Sequence, residues 1–194
     1  MAKCSTREAA TKDWRQPATA LTSCSAKFAC SPRDRLKAAG AEVVIAAPEA
    51  GEIKGWEKKD WGRAVPVDVT LDAVNAADYD AIVLPGGQMN PDTLRANAQA
   101  IGLIRAFFDA GKVVAAVCHA PWLLIDAGIA EGREVTSWPT VRTDLENAGA
   151  RWVDAEVVTD KGVVTSRKPG DLEAFSAKIA EEISEGRHER RKAA

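Results

Sequence analysis

Short apolar runs alternate with amphipathic segments along most of this chain. The clearest runs are Val43–Ile45, Tyr79–Leu84 and Val113–Val117, and each has the length of a strand buried on both faces of a sheet. Segments with helical periodicity separate them, such as the one from Asn90 to Phe108. Strands that alternate with helices predict an α/β fold with three layers and a mostly parallel sheet.

The first helix of this pattern is predicted to begin at Ser31, because Ser31 suits an N-cap, Pro32 suits a first helical residue and Asp34 completes a capping box. Weaker patterns complete the set of elements. They predict a loop or hairpin at 49–70, a strand at 134–136, a helix at 140–148, strands at 151–153, 157–159 and 163–166, and a last helix from 171.

The chain is predicted to hold one domain, residues 31–186, followed by a charged tail at 187–194. Residues 1–30 are atypical, since they are rich in Ala, Ser, Thr, Lys and Arg and show no strand-like apolar run. They read as a disordered arm or a targeting segment, although Glu8 and Asp13 argue against the latter.

Composition narrows the function classes. The 194 residues are 46% hydrophobic and carry a net charge of −2, so nothing indicates a nucleic-acid partner. No apolar run reaches the length of a membrane span, and no signal peptide is visible. The four cysteines match no zinc or redox spacing, which predicts no metal site and a reducing, cytoplasmic compartment.

The candidate chemistry lies where the run at Val113–Val117 ends in Cys118. A helix is predicted to start at Pro121, so Cys118 falls on a sharp strand-to-helix turn flanked by small residues, Ala116 and Ala120. This is the layout of a nucleophile elbow, and a helix N-terminus behind a thiol lowers its pKa. The alternative is an inert, buried cysteine.

A glycine pair, Gly86-Gly87, follows the neighbouring strand and should converge with Cys118 at the carboxyl edge of the sheet. Amides at Gly87 and just after Cys118 could form an oxyanion hole, with Ala120 beside them. The alternative for the glycines is a tight turn with no catalytic role. His119 is predicted to act as an acid or base, or else to line the pocket.

Several motifs resemble the PfpI family, in the class I glutamine amidotransferase-like superfamily. The resemblance extends from about residue 31 to 186, and four segments support it: 85–92, 117–121, 136–139 and 165–172. It implies a flavodoxin-like sandwich, a homodimer or larger homo-oligomer, a reactive Cys118 and no bound cofactor. Activities known in that family are intracellular peptidase, glyoxalase, protein deglycase and general stress protection.

The sequence departs from that family at two places. Peptidase-like relatives bring a glutamate from a neighbouring subunit to the Cys-His pair, and Ala98 stands at the matching position here. Relatives also begin with an apolar first strand and an acidic loop beside the cysteine, and residues 1–30 show neither. Either this segment is a natural, divergent replacement, or its reading frame is shifted, since codons for Ala18–Cys24 can be written that encode Asp-Gly-Phe-Asp-Glu-Leu in another frame.

The sequence therefore predicts a cysteine-dependent hydrolase of the glyoxalase or deglycase type, acting on small carbonyl compounds or their adducts. Cys118 would be the nucleophile, with His119 beside it and the Gly86, Gly87 and Ala120 backbone around the oxyanion. The alternatives are an intracellular cysteine peptidase, a non-enzymatic redox sensor, and an inactive relative that lacks the acidic partners.

Overall fold

The computed structural model describes residues 18–21, 26–57 and 60–188, with strands and helices alternating through most of the chain. The strands are β1 (Ala18–Leu21), β2 (Val43–Ala47), β3 (Glu52–Glu57), β4 (Asp60–Pro66), β5 (Val69–Thr70), β6 (Ala81–Leu84), β7 (Val113–Val117), β8 (Glu134–Val135), β9 (Arg151–Trp152), β10 (Val157–Asp160) and β11 (Val163–Ser166). The helices are α1 (Ala26–Ala38), α2 (Met89–Arg95), α3 (Ala98–Asp109), α4 (Trp122–Asp126), α5 (Arg142–Asn147) and α6 (Leu172–Glu185).

Seven strands form the main sheet in the order β10-β11-β7-β6-β1-β2-β5. All neighbours in it run parallel except β10 and β11, which form an antiparallel hairpin. Lys161 and Gly162 join that hairpin with positive φ angles of 50° and 81°, as a tight hairpin turn requires. The predicted α/β sandwich with a mostly parallel sheet is confirmed.

Side chains alternate along the central strand β7 and so build a core on each face of the sheet. Val114 and Ala116 pack into the core that α3 and α4 cover. Val113, Ala115 and Val117 pack into the opposite core, against α6. All five are at most 1% exposed. This two-sided burial explains why the strand shows as an uninterrupted apolar run and not as an alternating pattern.

The expectation that residues 1–30 hold no strand was wrong for Ala18–Leu21. This segment is β1, and it pairs in parallel with β2 on one side and β6 on the other. The strand has only four residues, two of them alanine, so it is too short and too weakly apolar for the hydrophobic pattern to reveal it. Its central position supplies backbone partners for both neighbours, which a sheet interior demands.

Two helix boundaries also differ from the sequence predictions. Helix α1 begins at Ala26, so Ser31 does not start it and Pro32 lies inside it. The predicted long helix is split at residues 96 and 97, and Asn97 caps α3 by accepting hydrogen bonds from the amides of Gln99 and Ala100, both at 3.0 Å. The asparagine offers the chain an alternative to continuing the first helix, as short polar side chains do.

The predicted surface hairpin between residues 49 and 70 is present as β3 and β4, which pair in antiparallel fashion. Within the described residues, no helix is long and apolar enough to cross a membrane.

The position of β1 yields a test by proline substitution. Ala20→Pro removes an amide from a strand paired on both sides, and we expect it to lower the free energy of unfolding by about 3 kcal/mol. Thr70→Pro is the matched control. Strand β5 is an edge strand paired only with β2, and the φ of −84° at Thr70 suits proline.

Chemical denaturation measures both variants. A loss for Ala20→Pro no larger than that for Thr70→Pro would contradict the central placement of β1.

Candidate active site

Cys118 occupies a strained turn at the carboxyl end of β7. Its φ of 66° places a non-glycine residue in the left-handed region, at a cost on the order of 1–2 kcal/mol. Two hydrogen bonds hold it there: its amide donates to the Ser166 carbonyl at 3.0 Å, and its carbonyl accepts from the Trp138 amide at 2.8 Å. Helix α4 begins at Trp122, so the strand–turn–helix order of a nucleophile elbow is present.

The environment of the sulfur differs from the one that the sequence predicted. Cys118 is only 6% exposed, and this burial raises the pKa of its thiol above the ordinary value. Hydrogen bonds from the backbone amides of Gly87 and His119 oppose the shift without reversing it. Helix α4 has only five residues and ends within little more than one turn, so its dipole offers the sulfur little stabilisation.

His119 contacts the thiol directly, because its Nδ1 lies 3.2 Å from Cys118 Sγ. Partial burial lowers the pKa of the imidazole. Both shifts disfavour charge, so the resting pair is a neutral thiol beside a neutral imidazole. A proton can still pass from Sγ to Nδ1 across this contact when the sulfur attacks.

The far side of the imidazole meets a residue that sequence reasoning missed. Thr140 Oγ1 lies 3.4 Å from His119 Nε2. When Nε2 carries the proton, it donates to this hydroxyl and leaves Nδ1 free to accept the thiol proton. Thr140 directly follows the Trp138-Pro139 motif, which was the only signal in the sequence that could have pointed to it.

Two tryptophans enclose the imidazole of His119. Trp122 meets it edge-on with ring centroids 5.3 Å apart, and Trp138 stacks on it at 6.2 Å. Asp144 fixes Trp122 by accepting a 2.6 Å hydrogen bond from its indole nitrogen. Trp138 is 37% exposed, so one wall of the site faces the solvent.

The glycine pair lies where the sequence predicted. Gly87 has a φ of 93° and turns its amide toward Cys118 Sγ, while Gly86 precedes it as a buried residue. Asn90 supports this loop by donating from Nδ2 to the Pro85 carbonyl at 2.9 Å.

Ala120 uses its backbone amide within the elbow itself. Its amide already donates to the Val117 carbonyl at 3.1 Å, and its side chain is fully buried in the core under α4. The elbow needs a small residue at this position to close its turn, and a role for Ala120 beside the oxyanion stays a prediction.

The two acidic partners expected in relatives are absent from the corresponding stretches of sequence. No Asp or Glu occurs between Asp13 and Asp34, a stretch that includes β1 and residues 22–25, which lie outside the described residues. Ala98 is the exposed first residue of α3 and lines an open groove together with Arg95 and Arg105. The pKa of His119 is shifted by burial and not by a carboxylate.

These features define a cysteine-centred site on an α/β sandwich, and comparison with known proteins identifies the family. Residues 29–182 match the DJ-1/PfpI family, and the chain belongs to it. Deglycase PfpI of Pyrococcus furiosus is 47% identical over 144 residues, which are 74% of this chain and 84% of that protein.

Two Bacillus subtilis proteins are each 42% identical over 147 residues, 75% of this chain. They are the putative cysteine protease YraA, matched over 84% of its length, and general stress protein 18, matched over 83%. Among solved structures, Drosophila melanogaster DJ-1beta superposes with a TM-score of 0.79 at 31% identity, covering 87% of this chain and 90% of that one. The family predicted from the sequence motifs is therefore confirmed.

The raised thiol pKa predicts how Cys118 reacts with pH. The thiolate is the nucleophile, so the rate of alkylation by iodoacetamide should rise about tenfold per pH unit from neutral pH to beyond pH 9. Mass spectrometry of the peptide that contains Cys118 separates this rate from those of the other cysteines. A plateau below pH 8 would instead indicate a preformed thiolate–imidazolium pair.

Proposed function

We propose that this protein is a cysteine-dependent hydrolase of the deglycase or glyoxalase type, acting on small dicarbonyl compounds or on the adducts they form with amines and thiols. One observation supports this above the others: Cys118 Sγ meets a proton acceptor, His119 Nδ1, at 3.2 Å and also receives two backbone amide hydrogen bonds. Relatives that carry the name deglycase agree with this reading.

The first step is addition of the sulfur to the substrate aldehyde. Sγ forms a bond to the carbonyl carbon, the carbonyl π electrons move to oxygen, and the thiol proton passes to His119 Nδ1. In the resting protein the amides of Gly87 and His119 point at the sulfur. After the attack, these two amides would donate to the new oxyanion on the substrate. A preorganised pair of donors stabilises such a charge.

The later steps need no electron acceptor from outside. The thiohemiacetal rearranges to a thioester through an enediol. One proton moves from the former aldehyde carbon to the neighbouring carbonyl carbon, a second moves from the hydroxyl to the neighbouring oxygen, and water then hydrolyses the thioester. For methylglyoxal the products are lactate and the free thiol, so the sum is addition of one water. In an adduct, the Cys118 sulfur replaces the bound amine or thiol on the former aldehyde carbon, and that group leaves with the thiol proton that His119 has accepted, so it is released unmodified.

Thr140 is proposed as the residue that positions His119. An imidazole whose Nε2–H donates to Thr140 keeps Nδ1 ready for the thiol proton. The imidazolium formed during attack keeps both contacts, since both ring nitrogens are then donors. The hydroxyl carries no charge, so it orients the ring without raising its basicity as a carboxylate would.

A peptidase of the same site is the second candidate, because a relative is named a putative cysteine protease. The site offers less support for it. Peptide bond cleavage requires protonation of an amine leaving group, and burial makes His119 harder to protonate. Ala98 removes the acid that peptidase-like relatives place near this pair.

The proposal also covers the oligomeric state of the protein and its location in the cell. We expect a homodimer or larger homo-oligomer in the cytoplasm, where reactive carbonyl compounds arise and thiols stay reduced. The exposed Trp61 on the β3–β4 hairpin, 51% accessible, is a candidate contact between copies.

The central experiment measures loss of methylglyoxal, and release of N-acetylcysteine from its methylglyoxal adduct. Cys118→Ala should abolish both activities, while Cys30→Ala, which removes another thiol of the chain, should keep them. Turnover that survives Cys118→Ala would show that Cys118 is not the nucleophile. No turnover in the wild-type protein would favour the redox sensor or the inactive relative.

The positioning role of Thr140 has its own test. Thr140→Val removes a hydrogen bond worth about 1 kcal/mol and should lower kcat about fivefold with KM unchanged. Thr140→Ser keeps the hydroxyl and should retain the wild-type rate. Equal losses in both variants would show that the threonine only fills space.

A further inference from the structure

Three potential metal ligands meet at the end of α6, far from the cysteine. Glu182, Glu185 and His188 each place one ligand atom within 4.8 Å of the other two. His188 lies against Gly111 and Gly162, in the turns that lead into β7 and β11 at the amino edge of the sheet. Cys118 lies at the carboxyl edge, so this cluster is separate from the candidate active site.

Glu182 is buried, and one of its two carboxylate oxygens has no close charged partner. Its side chain is 5% exposed, and Lys178 Nζ lies 3.2 Å from Oε1. The second oxygen, Oε2, faces His188 Nε2 at 3.5 Å. Burying a carboxylate oxygen that has one weak contact is costly, and a further positive partner would offset that cost.

His188 is held in place by the surrounding backbone. Its amide donates to the Gly111 carbonyl at 2.8 Å, and its ring packs so closely on Gly162 that a Cβ there would meet ring carbon Cδ2 at 2.5 Å. Gly186, with a φ of 94°, ends α6 and turns the chain back so that His188 reaches this position. The imidazole is therefore preorganised and not a loose side chain of the C-terminal segment.

The nitrogen that faces Glu182 lacks a hydrogen-bond partner. His188 Nε2 has essentially no exposed surface, and it makes no hydrogen bond among the described residues. Its 3.5 Å separation from Glu182 Oε2 is long for a hydrogen bond. It matches the separation of about 3.4 Å between two ligands that each bind a tetrahedral zinc ion at about 2.0–2.1 Å.

We propose that Glu182, Glu185 and His188 form a binding site for a divalent transition-metal ion, with zinc as its best fit. Two carboxylates and one imidazole supply three ligands of the kinds that zinc takes, and the exposed side of Glu185 leaves room for water as the fourth. The two carboxylates balance the charge of the ion, while Lys178 stays paired with Glu181.

The ion would fasten the end of the chain to the sheet. His188 contacts the turns before β7 and β11, and Glu182 and Glu185 belong to α6, so the metal would connect the helix to both strands. Its role is structural and independent of the proposed reaction at Cys118.

Isothermal titration with zinc chloride at pH 7.5, on the full chain, tests the site. The cysteines also bind zinc, so the comparison is between variants. Glu185→Gln and His188→Gln should each remove one binding event or weaken it at least tenfold. Glu173→Gln makes the same charge change at the other end of the same helix, away from the cluster and from Lys178, and it should bind like the wild-type protein.

Limited trypsin digestion gives a second readout that does not depend on activity. Zinc should slow cleavage after the exposed Arg187 at least fivefold in the wild-type protein, EDTA should reverse this, and His188→Gln should show no protection. Identical zinc titrations for the wild-type protein and both ligand variants would overturn the proposal, as would cleavage that zinc does not slow.

Discussion

The backbone of Cys118 is the constraint on which the site depends. A left-handed turn at a residue with a side chain is unfavourable, and here two hydrogen bonds enforce it: one to the end of β11 and one from the loop before α5. Those partners are themselves placed by the sheet, since β11 pairs with β7 up to Ser166 and Val117. The strain is thus sustained by the packing of the whole carboxyl edge, and it directs the sulfur toward Gly87 and His119.

The same burial that shapes the elbow decides its chemistry. A thiol that is almost inaccessible has a raised pKa, and a half-buried imidazole has a lowered one. The pair is therefore uncharged at rest, and the thiolate forms only when the thiol proton passes to His119 during the attack. Such a thiol also resists indiscriminate oxidation, because the thiolate is the form that oxidants attack.

The sequence could predict the parts of this structure that repeat a strong local pattern. The run into Cys118 showed a buried strand and a turn, and Gly86-Gly87 showed the neighbouring edge. It could not reveal β1, because Ala18–Leu21 is a strand by virtue of its two neighbours and not of its own composition. It also misjudged the thiol pKa, since the depth of burial is a property of the assembled sheet. Thr140 and the Glu182–His188 contact depend on side chains brought together by packing, so spacing alone could not show them.

Under the proposed function, Cys118 bonds covalently to its substrate, and the His119 imidazole, whose Nδ1 lies 3.2 Å from the sulfur, takes the thiol proton. Mass spectrometry of protein quenched in acid during turnover of methylglyoxal tests this most directly. The account predicts that the peptide containing Cys118 gains the mass of one substrate molecule, and that His119→Ala sharply reduces this adduct. Continued turnover with no adduct on Cys118 would contradict it.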